Sequence, residues 1–109
     1  MWIQAGTVEE VQKKKKVVVT TESGRRILVI AHNDRFHAMD NMCIHREREM
    51  HTGVILKNKL VCPGHQWAFD LETGWESVKE QGQPMYTTRV VDGMVEVDDE
   101  SATVASAPA

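Results

Sequence analysis

The chain has 109 residues, which is enough for one modest hydrophobic core, so we expect a single domain. Its composition is that of an ordinary soluble protein, and its net charge of −3 gives no indication of a nucleic-acid-binding surface. No apolar run approaches the roughly 20 residues of a membrane span. The N-terminus lacks the basic and apolar segments of a secretory signal, so we expect a cytoplasmic protein.

One short helix and a series of short strands are predicted along the chain. Thr7, followed three residues later by Glu10, has the pattern of a capping box and predicts a helix over TVEEVQKKK. Strands are predicted where apolar and β-branched residues lie between turn residues. These segments are 17–21, 26–32 and 36–41, followed by hairpins at 54–62, 67–75 and 86–98. Strands at intervals of about ten residues indicate an all-β sandwich or barrel.

Both cysteines of the chain lie close to a histidine. Cys43 and His45 are separated by one residue, Cys62 and His65 by two, and sixteen residues lie between the two pairs. Each pair falls where a predicted strand ends, so two loops can close around a metal centre from opposite sides. Two thiolates and two imidazoles can bind one tetrahedral Zn²⁺, or a Rieske-type [2Fe–2S] cluster. Zinc sites usually group like ligands, whereas each loop here carries one of each kind, and this favours the cluster.

These loops resemble those of a known family. CIH and CPGHQWAFDLETG are similar to the two cluster-binding loops of the Rieske ferredoxins and to the hairpin after them. The resemblance runs from about residue 2 to residue 98. It implies an all-β Rieske fold, in which stacked antiparallel sheets carry a small inserted cluster-binding subdomain. The domain would cover 1–99, with cluster loops at about 42–53 and 61–70, and the Pro- and Ala-containing residues 100–109 would form a disordered tail.

The resemblance also implies the ligands and the function. Cys43 and Cys62 would bind the inner iron, and His45 and His65 would bind the outer iron near the surface. The protein would be a one-electron carrier and not an enzyme, with electrons passing from a flavin-dependent reductase to a terminal oxygenase. Both partners would dock over the two histidines, and the carrier would be a monomer that binds neither nucleic acid nor membrane. The alternatives are a small redox subunit of a nitrite-reductase-like complex and a zinc-stabilised binding module.

Two features bear on the redox level and on partner choice. High-potential relatives carry serine and tyrosine hydroxyls near the cluster and a disulfide between the loops. This chain has Trp67 and Phe69 at those positions and no third cysteine. We therefore expect a potential nearer roughly −150 mV than +300 mV. The tip 47–49, Glu-Arg-Glu, and Gln66 replace small or apolar residues that are common in the family, and they lie at the expected docking rim.

Three further histidines are not expected to bind metal. His32 lies in the turn HNDR and His37 lies beside Phe36, and we expect both to be surface or hydrogen-bonded histidines. His51 lies in the first loop, six residues after His45, and the spacing favours His45 as the ligand.

Overall fold

Short strands dominate the computed structural model, which describes residues 1–44, 48–64 and 67–105. The strands are β1 (Trp2–Thr7), β2 (Lys16–Thr20), β3 (Arg26–His32), β4 (Arg35–Asp40), β5 (Val54–Leu56), β6 (Lys59–Val61), β7 (Ala68–Asp70), β8 (Trp75–Glu76), β9 (Gln81–Gly82), β10 (Met85–Tyr86), β11 (Thr88–Val91) and β12 (Met94–Asp98). Helix α1 spans Val8–Lys14, and a single 3-10 turn spans Met50–Thr52. No helix in the described ranges has the length and apolar character needed to cross a bilayer.

The strands pair into antiparallel sheets. β1, β12 and β11 form one sheet, and β10, β4, β3 and β2 form a second. β5, β6 and β7 form a third sheet, and β8 pairs with β9 as a two-stranded ribbon. Because β10 pairs with β4, the whole segment from β5 to β9 is an insertion into the second sheet. The predicted all-β architecture with an inserted subdomain is therefore confirmed.

Strand β3 is buried on both faces and separates two hydrophobic cores. Successive strand residues point to opposite faces, which sends Ile27 and Val29 to one core and Leu28 and Ile30 to the other. The first core lies against α1 and β12. The second core joins the central sheet to the inserted subdomain and includes Met39, Cys43, Met50, Leu60, Cys62, Phe69, Leu71 and Met85. A strand covered on both faces appears in the sequence as one continuous apolar run.

The predicted helix forms, and its N-terminus has the predicted capping box. The Glu10 N–H donates to Thr7 Oγ1 (3.1 Å), and the Thr7 N–H donates to Glu10 Oε1 (3.0 Å). Val11 anchors the helix in the first core. The capping box thus fixes the place where β1 becomes helical, and the predicted helix is confirmed.

One predicted hairpin, over 67–75, is wrong. β7 pairs with β6 through Leu60 and Phe69, and β8 pairs with β9 instead of β7. Asp70 Oδ1 accepts the N–H groups of two following residues (2.8 and 3.2 Å), and this side-chain turn sends β8 away from β7. The other two predicted hairpins, β5–β6 and β11–β12, are confirmed.

Part of the predicted tail makes contacts. The backbone N–H and carbonyl of Thr103 pair with those of Met85 (2.9 and 2.8 Å). Residues 106–109 lie outside the described residues, so the domain limit at residue 99 and the disorder of the tail stay predictions.

Loss of the capping box should destabilise the fold. We expect Thr7→Ala to lower the free energy of unfolding by about 1 kcal/mol, because the first helical turn loses a partner for the Glu10 N–H. Denaturant unfolding followed by circular dichroism measures this. Thr87→Ala, at an exposed site between β10 and β11, is the matched control. Equal stability of the two variants would contradict a role for the capping box.

Candidate metal centre

Each cysteine lies just past the end of a strand of the second core. Cys43 follows β4 and Cys62 follows β6. Both thiols are fully buried and belong to the same hydrophobic core. His45 and His65 fall outside the described residues, so their predicted role as ligands stays a prediction.

The first loop is closed at its base by Asn41. This side chain is buried, and its Oδ1 accepts the N–H of His51 (2.9 Å), while its backbone carbonyl accepts the N–H of Met50 (2.5 Å). The Cys43 N–H donates to the Arg48 carbonyl (3.1 Å). The two ends of the loop are therefore joined by hydrogen bonds immediately beside Cys43.

His51 is held in this loop by contacts with Asn41. Its ring Nδ1 lies 3.0 Å from Asn41 Nδ2, and its backbone N–H donates to Asn41 Oδ1. Of the other histidines, Nε2 of His32 lies 3.2 Å from Asn58 Oδ1, and His37 is half-buried on β4, where desolvation lowers its pKa. That none of these three histidines binds metal stays a prediction.

The second loop is closed by the peptide group that joins Trp67 to Ala68. Its carbonyl accepts the Cys62 N–H (2.7 Å), and its N–H donates to Glu76 Oε2 (2.5 Å). The loops also touch, because a Cβ added at Gly64 would lie 2.8 Å from Arg48 Cγ. A glycine between Cys62 and His65 therefore allows the first loop to pack against the second.

Close packing also explains the residues at the end of the first loop. Met50 is fully buried in the second core. A Cβ at Gly53 would overlap the carbonyl oxygen of Val61, and Lys16 Nζ donates to the Gly53 carbonyl (2.5 Å). The first loop thus ends where the backbone of residue 53 packs against the backbone of Val61, and only glycine fits there.

The aromatic residues after the second pair cover the cysteine core. Phe69 is fully buried, and Trp67 is half-buried against the same core. Their ring centroids are 6.2 Å apart with planes tilted by 42°, and Lys79 Nζ lies 5.8 Å from the Trp67 ring. Neither ring carries a hydroxyl.

Two buried polar side chains at the site are not predicted by the sequence. Gln83 is fully buried and contacts the backbone on both sides of Cys43, and Glu76 is 4% exposed. Burial raises the pKa of Glu76, but the N–H groups of Ala68, Val78 and Lys79 lower it by more in sum. The net pKa therefore lies below its ordinary value, and the carboxylate is charged at neutral pH.

The charged tip of the first loop contains one described ion pair. Glu49 forms an ion pair with Arg26 of β3, and Arg48 is exposed. Such exposed pairs contribute little to stability. Glu47 lies outside the described residues.

The donor chemistry near the second core fits a metal centre with sulfur ligands. Cys43 and Cys62 follow different strands, and their thiols are buried in the same core. This burial suits thiolates that bind iron. No group of three or more His, Cys, Asp or Glu side chains converges within residues 1–44, 48–64 and 67–105. One surface groove lies between Lys15, His32 and Val54, and neither cysteine lines it.

Comparisons with known proteins agree with this arrangement. A family model described as the Rieske [2Fe–2S] domain matches residues 1–97. The anthranilate 1,2-dioxygenase ferredoxin subunit of Burkholderia cepacia is 32% identical over 74 residues, which are 66% of this chain and 68% of the relative. The ferredoxin component of the alkene monooxygenase system of Xanthobacter autotrophicus is 35% identical over 49 residues, 44% of this chain and 40% of the relative.

A solved structure has the same fold. It is one chain of the complex of reduced oxygenase and oxidised ferredoxin in carbazole 1,9a-dioxygenase. The TM-score is 0.80 at 22% identity, with 88% of this chain and 91% of that chain covered.

Removal of the Asn41 amide should loosen the first loop. We expect Asn41→Ala to lower the free energy of unfolding by about 1–3 kcal/mol, because the His51 N–H loses its acceptor in a buried site. Thermal unfolding measures the loss. Gln12→Ala, at an exposed site on α1, is the control and should change stability by less than about 0.5 kcal/mol. A loss no larger in Asn41→Ala than in the control would contradict the closure of the loop by Asn41.

Proposed function

The chain belongs to the Rieske [2Fe–2S] domain family, and on that premise we propose that it carries single electrons to a terminal oxygenase. Membership means that the protein holds a Rieske-type cluster, which accepts and releases one electron when bound. The observation that supports the assignment most directly is the burial of Cys43 and Cys62 in one core. A carrier needs no substrate pocket, because the electron only has to cross from one protein to another.

The ligand set is part of the proposal. Cys43 and Cys62 hold the inner iron, and His45 and His65 hold the outer iron. The burial of the thiols supports the assignment of the two cysteines, since the inner iron must lie toward the protein interior. Met50, Leu60 and Phe69 exclude water from this end. The outer half rests on the spacing of the sequence motif.

The partners follow from the relatives. The two curated relatives are ferredoxin components of a dioxygenase and of a monooxygenase system, and the similar solved chain lies in a complex with an oxygenase. We propose that the terminal oxygenase docks over His45 and His65 and that a flavin-dependent reductase supplies the electron. The carrier acts as a cytoplasmic monomer. Brief redox encounters of this kind usually bury less than about 1,200 Å² of surface.

The zinc-stabilised module loses its support through the family match, and no described contact favours the nitrite-reductase-like subunit. The redox level is proposed to be low, because Trp67 and Phe69 offer no hydroxyl to a cluster sulfur.

The cluster assignment predicts the effect of a ligand variant. We expect Cys62→Ser to lose the two-iron electron paramagnetic resonance signal of the reduced protein, because the inner iron loses a thiolate. Iron analysis and spectroscopy of the dithionite-reduced protein measure this. His51→Gln is the control and should keep both the iron and the signal, since the contacts of His51 are with Asn41. A colourless wild-type protein with one zinc per chain would overturn the proposal.

The low potential predicts the effect of added hydroxyls. We expect Phe69→Tyr and Trp67→Ser each to raise the midpoint potential, because a donor near sulfur stabilises the reduced cluster. Protein-film voltammetry measures the shift. Phe36→Tyr, in the first core, is the matched control and should leave the potential unchanged. Unchanged or lower potentials in both test variants would show that these positions do not set the redox level.

A further inference from the structure

We infer that the β8–β9 ribbon ties the two cysteine loops together through the side chains of Glu76 and Gln83, which are positioning residues for the cluster. We call this pair of side chains, with the ribbon that carries them, the polar brace. The inference rests on the proposed cluster function.

Gln83, which directly follows β9, holds the first loop on both sides of Cys43. Its Oε1 accepts the N–H of Ile44 (3.0 Å), and its Nε2 donates to the carbonyls of Asp40 and Met42 (2.8 Å each). The side chain is fully buried, and its amide uses both of its N–H groups. The peptide groups before and after Cys43 are therefore fixed by one side chain from a distant segment.

Glu76, on β8, holds the second loop through one peptide group. Its Oε2 accepts the Ala68 N–H (2.5 Å), and the carbonyl of that same peptide group accepts the Cys62 N–H (2.7 Å). Its Oε1 accepts the N–H groups of Val78 and Lys79 (2.6 and 3.2 Å). The carboxylate therefore fixes both the exit of the second loop and the turn of the ribbon.

The ribbon joins these two contacts. β8 and β9 pair through Trp75 with Gly82 and Glu76 with Gln81, so Glu76 and Gln83 are held at a set separation. The Gln83 N–H also donates to the Gly74 carbonyl (2.8 Å), which continues the pairing past β9. Both cysteines of the chain are used as ligands, so no covalent link between the loops is available. Buried hydrogen bonds are costly to lose, and they can hold the loops instead.

The brace also places a charge near the second loop. The Glu76 carboxylate accepts three backbone N–H groups, and one of them belongs to the peptide group whose carbonyl binds the Cys62 N–H. A fixed negative charge on this side opposes the addition of an electron, so the brace contributes to a low potential as well as to geometry.

Cluster release from the folded protein tests the brace. We expect Gln83→Leu, which replaces the amide by an apolar side chain of similar size, to release iron to a chelator about 10–100-fold faster than wild type. The measurement is made well below the unfolding temperature of both proteins. Gln81→Leu, at an exposed site on β9, is the matched control and should release iron at the wild-type rate. Equal rates in the two variants, or a lower unfolding temperature in Gln83→Leu without faster release, would overturn the inference.

A second variant keeps the test informative if Gln83→Leu does not fold. Glu76→Gln has the same shape but no charge, and we expect faster iron release together with a higher midpoint potential. In a protein carrying both changes, the effects should be less than additive if the two side chains act as one unit. Wild-type release and an unchanged potential in Glu76→Gln would overturn the inference. A wild-type protein without a two-iron signal would instead overturn the proposed function itself.

Discussion

The whole structure depends on a central sheet that must be covered on both faces. Leu28 and Ile30 of β3 point opposite to Ile27 and Val29, and burying each such side chain contributes about 1.5–3 kcal/mol. One face is covered by α1 and the sheet that contains β12. The other is covered by the inserted β5–β9 segment. The inserted segment that carries Cys62 therefore also covers one face of the central sheet. Loosening of the site would expose that face to water.

The loops themselves are held by a different kind of interaction. Among the described residues of the two loops, several backbone groups bind side-chain partners. Asn41, Glu76 and Gln83 supply them, and all three are buried. Amides and carboxylates are suited to this task because one side chain can bind several peptide groups at once. The site thus combines an apolar floor, which excludes water from the thiols, with polar side chains at its edges, which fix the loops.

The features that were predicted correctly are local in the sequence. The capping box of Thr7 and Glu10, the hairpin over 86–98 and the apolar run of β3 each depend on neighbouring residues, and the Cys-His spacing identified the family. The pairing of β7 was missed because Asp70 turns the chain and Glu76 takes the Ala68 N–H that a strand partner would have used. Gln83 was missed because its partners lie 39–43 residues earlier, and an isolated glutamine beside a proline has no pattern that indicates such contacts. The two histidines have no described position, so the sequence remains their main support.

The distance in the chain between Cys43 and Gln83 sets an order of events during biosynthesis. The peptide groups around the first cysteine gain their partners only when a segment about forty residues downstream has left the ribosome and folded back. Contacts of such long range form late, because the closure of the intervening chain must come first. A nascent chain therefore presents its thiols on an unfinished scaffold until Gln83 has folded back onto the first loop.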